Sequence, residues 1–208
     1  AEISARIGYV FQNPFTQISG IKETVFEEVA MGLENLGIPK DQMAETVVKV
    51  CKMLKIEDLM KNNPNELSGG QRQRVAFASI LAMDSEMLVI DEPTSQLDPE
   101  GTEDVFEIIK MLKHSGKTIL LVEHKIDMIA DYCDEILVME HGKIVFSGPS
   151  DIVMANKDLL AHNAMIPQVA LLGHELEDIG KPLSRIPITR REAAELIRER
   201  LGADSYVH

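Results

Sequence analysis

The chain has 208 residues and a formal net charge of −13 at pH 7, with 45% apolar and only 4% aromatic residues. That length fits one domain with an appendage, and the apolar content suffices for an aliphatic core. The acidic balance argues against nucleic acid as the main partner, because binding its phosphates needs a basic surface. No run of apolar residues is long enough to cross a membrane, so work at a membrane would require a separate partner.

The first part of the chain predicts a strand followed by a helical insert. An apolar stretch at residues 5–11 is typical of a strand, and it stops at Gln12 in a turn signal that contains Pro14. Two segments with helical periodicity follow, at residues 22–36 and 41–61, and a run rich in Asn and Pro ends the second one. We therefore predict a small helical insert between roughly residues 20 and 66.

The next helix begins with the run Leu-Ser-Gly-Gly-Gln at residues 67–71. Ser68 and Gln71 have the spacing of a capping box, which by itself explains both side chains. Gly69 and Gly70 lie between them and leave backbone N–H groups open at a helix N-terminus, where anions bind readily. The run therefore predicts a helix start that faces phosphate.

A continuous apolar run at residues 87–90 predicts a parallel strand that is covered on both faces. Asp91 and Glu92 follow at its carboxyl end, the edge at which open α/β sheets bind ligands. Two adjacent acids repel each other, so a metal ion or another cation would offset their charge. A strand that simply ends in solvent would explain the same pattern equally well.

A second strand–helix unit follows the acid pair. Asp98 is placed to cap a helix, and the strand at residues 118–122 is followed by His124. The carboxyl ends of successive parallel strands meet at one edge, so we expect His124 at the edge that carries the acids. A hairpin at residues 136–146 comes next, residues 150–180 are only weakly helical, and a last amphipathic helix near the C-terminus forms an appendage.

The order of these motifs resembles the nucleotide-binding subunit of ABC transporters over about residues 5 to 150. Each motif alone is weak or moderate, whereas five of them in this order and spacing are very specific. Residues 9–14 and 27–37 are more specifically similar to the energy-coupling factor ATPases of cobalt and vitamin importers. Those ATPases carry a C-terminal helical extension, which residues 150–208 would match.

The resemblance implies an α/β fold of the P-loop NTPase type (RecA-like), with a parallel sheet, an inserted α-helical subdomain and a small C-terminal helical extension. Residues 1–19 would be the part of the ATPase core that leads to the glutamine, and residues 67–150 would be its second part. Residues 20–66 would be the helical subdomain, and residues 151–208 the extension.

The resemblance also implies roles in hydrolysis of ATP with Mg²⁺, a reaction that needs charge neutralisation and a positioned water. Asp91 would hold Mg²⁺, Glu92 would act as general base on the attacking water, and His124 would contact the γ-phosphate. Gln12 would reach both Mg²⁺ and the water, and it would report the state of the nucleotide.

Two protein partners and a location follow from the same resemblance. A second ATPase subunit, identical or a paralogue, would pair head-to-tail, and its ATP would meet Ser68, Gly69, Gly70, Gln71 and Asp98. An integral membrane transport subunit would insert a cytoplasmic helix into the helical insert, which places the chain peripherally on the cytoplasmic face of the cell membrane. The expected activity is import of a vitamin or metal ion powered by ATP.

The sequence departs from the family in one respect. A Gly-rich phosphate loop ending in Gly-Lys-Ser/Thr should precede Gln12, yet no such run occurs in the 208 residues, and the chain opens at Ala1 without an initiator Met. We therefore expect an N-terminally truncated chain that alone binds and hydrolyses ATP poorly. The alternatives are a non-transport ABC ATPase, acting in DNA repair or on ribosomes, and a non-catalytic interaction module without a phosphate loop.

Overall fold

The computed structural model describes residues 6–95 and 97–202, and it divides into two compact units, residues 1–123 and 124–208. The predicted boundaries of core, helical subdomain and extension differ from this division and stay a prediction. Gln96 lies outside the described residues, as do the first residue of the predicted strand at 5–11 and the C-terminal end of the predicted extension.

The first unit contains a parallel three-stranded sheet, which agrees with the predicted α/β class. Its strands are β1 (Ile7–Val10), β2 (Met87–Asp91) and β3 (Thr118–Val122), in the order β1-β2-β3. The register pairs Val10 with Ile90 and Asp91 with Val122, so all three strands end at one edge. Parallel strands with β-branched and aliphatic residues typically form such a sheet.

Only one face of this sheet is fully covered by the described residues. Val10, Leu88 and Ile90 point to the covered face and are at most 1% exposed, whereas Tyr9 and Val122 on the opposite face are 39% and 45% exposed. Side chains alternate between the faces of a strand, so the apolar run of β2 contributes only every second residue to the covered face. The prediction that β2 is covered on both faces is therefore met on one face alone.

The segment between β1 and β2 is helical, as predicted. A short helix α1 (Pro14–Gln17) is followed by α2 (Val25–Asn35) and α3 (Lys40–Met53). Thr24 caps α2 in a capping box with Glu27, and α2 and α3 pack against each other. Apart from Glu28, the buried residues of these two helices are apolar, namely Val25, Val29, Ala30, Leu33, Val47, Val50 and Cys51.

A buried carboxylate fastens the loop before α2 to that helix. Glu28 is only 2% exposed, and its two oxygens accept hydrogen bonds from the backbone N–H of Ser19 at 2.7 Å and from its hydroxyl at 2.6 Å. Both donors come from one residue, so the carboxylate is satisfied without an ion pair. The contact ties the segment that follows Gln12 to the first turn of α2.

Two further α-helices, α4 (Gly69–Ala82) and α5 (Pro99–His114), belong to the first unit, which also has short 3-10 helices at Glu57–Leu59 and Pro64–Glu66. Helix α4 packs against α2 and α3 and also contacts β1. Val75, Ala76, Phe77 and Ala78 on α4 are fully buried. Such consecutive burial is possible because three of these four side chains are small, so neighbours approach the helix from several sides.

The second unit combines a hairpin with short helices. Its elements are α6 (Ile126–Tyr132), the antiparallel pair β4 (Glu135–Glu140) and β5 (Lys143–Pro149), α7 (Ser150–Met154), a 3-10 helix (Lys157–His162), α8 (Gln168–Asp178) and α9 (Arg190–Leu201). The hairpin confirms the prediction for residues 136–146. Helix α8 forms where the sequence pattern is weak, since only Ala170 and Gly173 of it are buried and no side chain caps its start. Within the described ranges, no helix combines the length and apolar character needed to cross a membrane.

Candidate functional site

The ends of β1 and β2 bring Gln12 and Glu92 into contact. The register pairs Val10 with Ile90, so Gln12 and Glu92 both lie two residues beyond a matched pair. The Gln12 Nε2 donates a hydrogen bond to the Glu92 Oε2 at 2.5 Å. Two residues that are 80 positions apart in the sequence thus form one short polar contact at the edge predicted for ligand binding.

The backbone of Glu92 is held in an unusual conformation. Its φ is 41°, in the left-handed region that non-glycine residues rarely adopt. Its N–H donates to the Val122 carbonyl at 2.8 Å and its carbonyl accepts from the Ser95 N–H at 3.2 Å. Such a conformation costs about 1–3 kcal/mol and clusters at functional sites, where surrounding hydrogen bonds over-determine it. Here those bonds fix the direction in which the Glu92 side chain leaves β2.

Asp91 is the last residue of β2 and is half-buried. The Tyr9 hydroxyl donates a hydrogen bond to its Oδ2 at 2.9 Å. This hydrogen bond, together with desolvation and the negative charge of Asp91, raises the pKa of Tyr9. Tyr9 is a site residue that the sequence analysis missed, because its proximity to Asp91 depends on the strand register.

The donors at this edge fit Mg²⁺ bound with a nucleotide. The described residues hold no group of three or more His, Cys, Asp or Glu side chains able to ligate a metal by themselves. Mg²⁺ does not need such a group, since proteins commonly supply one or two carboxylates while phosphates and water fill the other positions. Asp91 and the Gln12 amide offer hard oxygen ligands, which suit Mg²⁺ better than soft metals.

The next positions along the edge are Thr94 and Glu123. Thr94 is 1% exposed and its hydroxyl donates to the Glu123 Oε2 at 3.0 Å, which ties the loop after β2 to the residue after β3. His124 follows as the first residue of the second unit, with an exposed side chain. Its predicted position beside Glu92 therefore stays a prediction.

The Ser-Gly-Gly run begins α4, as predicted. Ser68 caps the helix, and Gln71 closes the capping box by accepting a hydrogen bond from the Ser68 N–H at 3.1 Å. A Cβ added to Gly69 or Gly70 would meet no atom within 4 Å. The two glycines are therefore not needed for packing in this unit. They keep the N-terminal N–H groups of α4 open to an approaching ligand.

A groove of about 540 Å³ joins the start of α4 to the start of α5. Asp98 caps α5 by accepting a hydrogen bond from the Gly101 N–H at 2.8 Å, as the sequence predicts. Arg74 also lines the groove and forms an ion pair with Asp104. All five residues predicted to meet the ATP of a second subunit lie in this lining, namely Ser68, Gly69, Gly70, Gln71 and Asp98.

The groove and the Gln12–Glu92 edge are two separate sets of residues in the first unit. In the groove, hydrogen bonds join Ser68 with Gln71 and Asp98 with Gly101, which all belong to its lining. The hydrogen bond between Gln12 and Glu92 involves no residue of that lining. The groove carries Asp98, Glu100 and Asp104 against one cation, Arg74. An anion in the groove would therefore depend on the helix N-terminus more than on basic side chains.

Comparisons with known proteins identify the family to which the chain is related. A family model described as ABC transporter matches residues 1–95. The chain is 41% identical over 200 residues to a putative ABC transporter ATP-binding protein of Pyrococcus horikoshii, covering 95% of the chain and 69% of that relative. It is also 41% identical over 198 residues to an energy-coupling factor transporter ATP-binding protein of Streptococcus pyogenes, covering 94% of the chain and 70% of that relative.

A solved structure shows the same fold. The chain superposes on CbiO1 of Clostridium perfringens, which is part of the ABC transporter complex cbiONQ, with a TM-score of 0.69 and 33% sequence identity. The match covers 85% of this chain and 69% of that one. The likeness confirms the predicted α/β fold with a parallel sheet.

Proposed function

Because the chain belongs to the ABC transporter ATP-binding proteins, with energy-coupling factor relatives and a P-loop NTPase fold, we propose that it powers import of a vitamin or metal ion. In this proposal it binds and hydrolyses ATP with Mg²⁺ and transmits the energy to an integral membrane partner. The observation that carries the proposal is the contact between Gln12 and Glu92 beside Asp91 at the edge of the parallel sheet.

The chemistry assigned to this edge follows from its side chains. Glu92 would accept the proton of the attacking water as general base, and its constrained backbone restricts where the carboxylate can lie. When bound, Mg²⁺ would neutralise the developing charge on the phosphates, and Asp91 is the carboxylate that would hold it. His124 would add a hydrogen bond to the γ-phosphate and orient the water.

Gln12 links this chemistry to the helical region. Its amide nitrogen donates to Glu92 in this structure, so an attacking water would compete with Glu92 for that donor, while the amide oxygen would face Mg²⁺. Residues 13–19 follow directly, and Ser19 is fastened to Glu28 of α2. A displacement of Gln12 would therefore reach α2 through one short, anchored segment.

The groove at Ser68, Gly69, Gly70, Gln71 and Asp98 would receive the ATP of a second ATPase subunit. Its excess of acids makes it a poor anion site alone, whereas a nucleotide that another subunit already holds brings its own cation. The open glycines would let backbone N–H groups approach the γ-phosphate closely. A head-to-tail pair, of identical subunits or paralogues, would bring such a nucleotide with its cation to the groove and place the γ-phosphate beside these N–H groups.

The isolated 208-residue chain should bind Mg-ATP weakly. It contains no Gly-x-x-x-x-Gly-Lys-Ser/Thr run, and it covers 69% and 70% of two relatives described as ATP-binding proteins. Since such a loop supplies most phosphate contacts, function is assigned to the full-length protein. Its location would be the cytoplasmic face of the cell membrane, where the membrane subunit holds it.

The helical region offers a surface on which to test the membrane partner. Helix α3 exposes Lys49 and Lys52 beside a shallow depression that Ala44 and Val48 also line. We expect the double variant Lys49→Glu, Lys52→Glu to weaken docking by about 1.4 kcal/mol, or about tenfold. Uptake per ATP hydrolysed should fall accordingly in vesicles that contain the full-length protein and its membrane subunit, while basal hydrolysis persists.

A matched reversal elsewhere serves as the control for this experiment. Lys143 is an exposed lysine of β5, so Lys143→Glu changes the charge without touching α3. Uptake per ATP should stay at the wild-type level in that variant. An α3 double variant that transports as efficiently as the wild type would contradict docking at this surface.

A further inference from the structure

A hydrogen bond between Tyr9 and Asp91 lies beside the acid pair. Tyr9 and Asp91 belong to adjacent parallel strands, and the register pairs Tyr9 with Val89. Asp91 lies two residues after Val89, so its side chain emerges on the same face as Tyr9. The Tyr9 hydroxyl bridges this diagonal and donates to the Asp91 Oδ2 at 2.9 Å.

The contact uses only one of the two carboxylate oxygens. The described residues donate no hydrogen bond to the Asp91 Oδ1, and Asp91 forms no ion pair with them. A carboxylate held through one oxygen has a fixed rotation, and its second oxygen keeps its acceptor capacity. A donor that fixes a carboxylate in this way is a typical partner for a metal ligand.

We propose that Tyr9 is a positioning residue that orients the Asp91 carboxylate for Mg²⁺ bound with ATP. This inference rests on the proposed function, because Mg²⁺ enters only with the nucleotide. Tyr9 acts on the metal through Asp91 and contacts neither substrate nor metal. Without the hydroxyl the carboxylate rotates freely. Metal binding must then order the carboxylate, and the entropy cost of this ordering weakens the affinity for the metal.

The ring of Tyr9 allows the hydroxyl to be tested alone. The ring packs against Phe11 with centroids 4.8 Å apart and planes tilted by 55°. A phenylalanine at position 9 keeps this aromatic contact, so Tyr9→Phe removes one hydrogen-bond donor and little else. Tyr132 lies in the second unit and is half-buried. Tyr132→Phe therefore serves as a matched loss of a hydroxyl.

The experiment uses the full-length protein with a non-hydrolysable ATP analogue and Mn²⁺ as a paramagnetic probe. Electron paramagnetic resonance titration gives the Mn²⁺ affinity of the nucleotide complex, and a fluorescent analogue in EDTA gives the metal-free nucleotide affinity. For Tyr9→Phe we expect about tenfold weaker Mn²⁺ binding, which is the smallest loss typical of removing a hydrogen-bond partner of a metal ligand. The affinity for the nucleotide without metal should not change. Tyr132→Phe should match the wild type in both.

Asp91→Ala provides the second arm of the test, because alanine has no oxygen that can accept from the Tyr9 hydroxyl. If Tyr9 acts through the carboxylate, Tyr9→Phe should have no further effect on Mn²⁺ affinity in the Asp91→Ala background. Equal Mn²⁺ affinity of Tyr9→Phe and wild type, or an undiminished effect of Tyr9→Phe in the Asp91→Ala background, would overturn the proposal. A wild-type protein that binds no Mg-ATP would instead remove the proposed function, which this assay registers separately.

Discussion

Replacing Glu28 by glutamine should destabilise the first unit by about 1.5–3 kcal/mol, the loss expected for one hydrogen bond to a charged acceptor. The carboxylate of Glu28 is 2% exposed and accepts bonds of 2.7 Å and 2.6 Å from Ser19. Glutamine retains one acceptor oxygen for the Ser19 N–H, but its amide nitrogen can meet the Ser19 hydroxyl only as a donor, so the charge-assisted bond from that hydroxyl is lost.

A double-mutant cycle separates this contact from other effects of the substitution. Ser19→Ala removes the hydroxyl bond but leaves the backbone bond, so it should cost about 1.5 kcal/mol in the wild-type background. In the Glu28→Gln background the same change should cost at least about 1 kcal/mol less, because the bond it removes is already weakened. Urea unfolding of the 208-residue chain, followed by circular dichroism, measures all four free energies of unfolding.

Glu23 supplies the control, because it is an exposed acid just before α2. Glu23→Gln should leave the free energy of unfolding within about 0.5 kcal/mol of the wild type, as exposed substitutions usually do. If Glu28→Gln also stays within that margin, or if Ser19→Ala costs the same in both backgrounds, the Ser19–Glu28 contact does not hold the segment to α2.

Two further predictions concern the second unit and the isolated chain. Burial raises the pKa of Glu192, but hydrogen bonds from the Ile188 and Thr189 N–H groups and from Arg185 bring it below its ordinary 4.5. The lowered pKa means that ionised Glu192 stabilises the folded state above its unfolded pKa, and that this stabilisation is lost as pH falls through its folded pKa. Glu192→Gln should therefore lower the free energy of unfolding by about 1 kcal/mol at pH 7 and by less below about pH 4.5. An equal cost in urea unfolding at about pH 7 and about pH 4 would contradict this. Isothermal titration of the 208-residue chain with Mg-ATP should show no saturation in the micromolar range, with the full-length protein as positive control, and a micromolar Kd would refute weak binding.

Much of the site edge was predictable because it follows from strand direction. A parallel strand presents its carboxyl end to the ligand edge of a sheet, so Asp91 and Glu92 could be placed there from the sequence, whereas Gln12 was grouped with them only through the family resemblance; the structure brings all three to that edge. The caps at Ser68 and Asp98 were predictable for a different reason, since a capping box and an N-cap are local patterns within about four residues.

Contacts that depend on register or on loop paths were not predictable. The Tyr9–Asp91 bond requires knowing which residues of β1 and β2 face each other, and neither residue type alone indicates it. The Ser19–Glu28 bond crosses a loop whose course no periodic pattern describes. The segment that forms helix α8 was predicted only as weakly helical, because few of its residues are buried, which leaves a weak apolar stripe.

The most direct test of the proposed function is the turnover of Glu92→Gln in the full-length protein. Glu86 provides a matched acid at the opposite end of β2, where it is exposed and paired with Arg6. Loss of a general base should reduce Mg-ATP hydrolysis by about 10²–10⁴-fold. The Kd for Mg-ATP should stay within about twofold of the wild type, and Glu86→Gln should hydrolyse normally. Wild-type turnover by Glu92→Gln would contradict the assignment of this edge as the hydrolytic site.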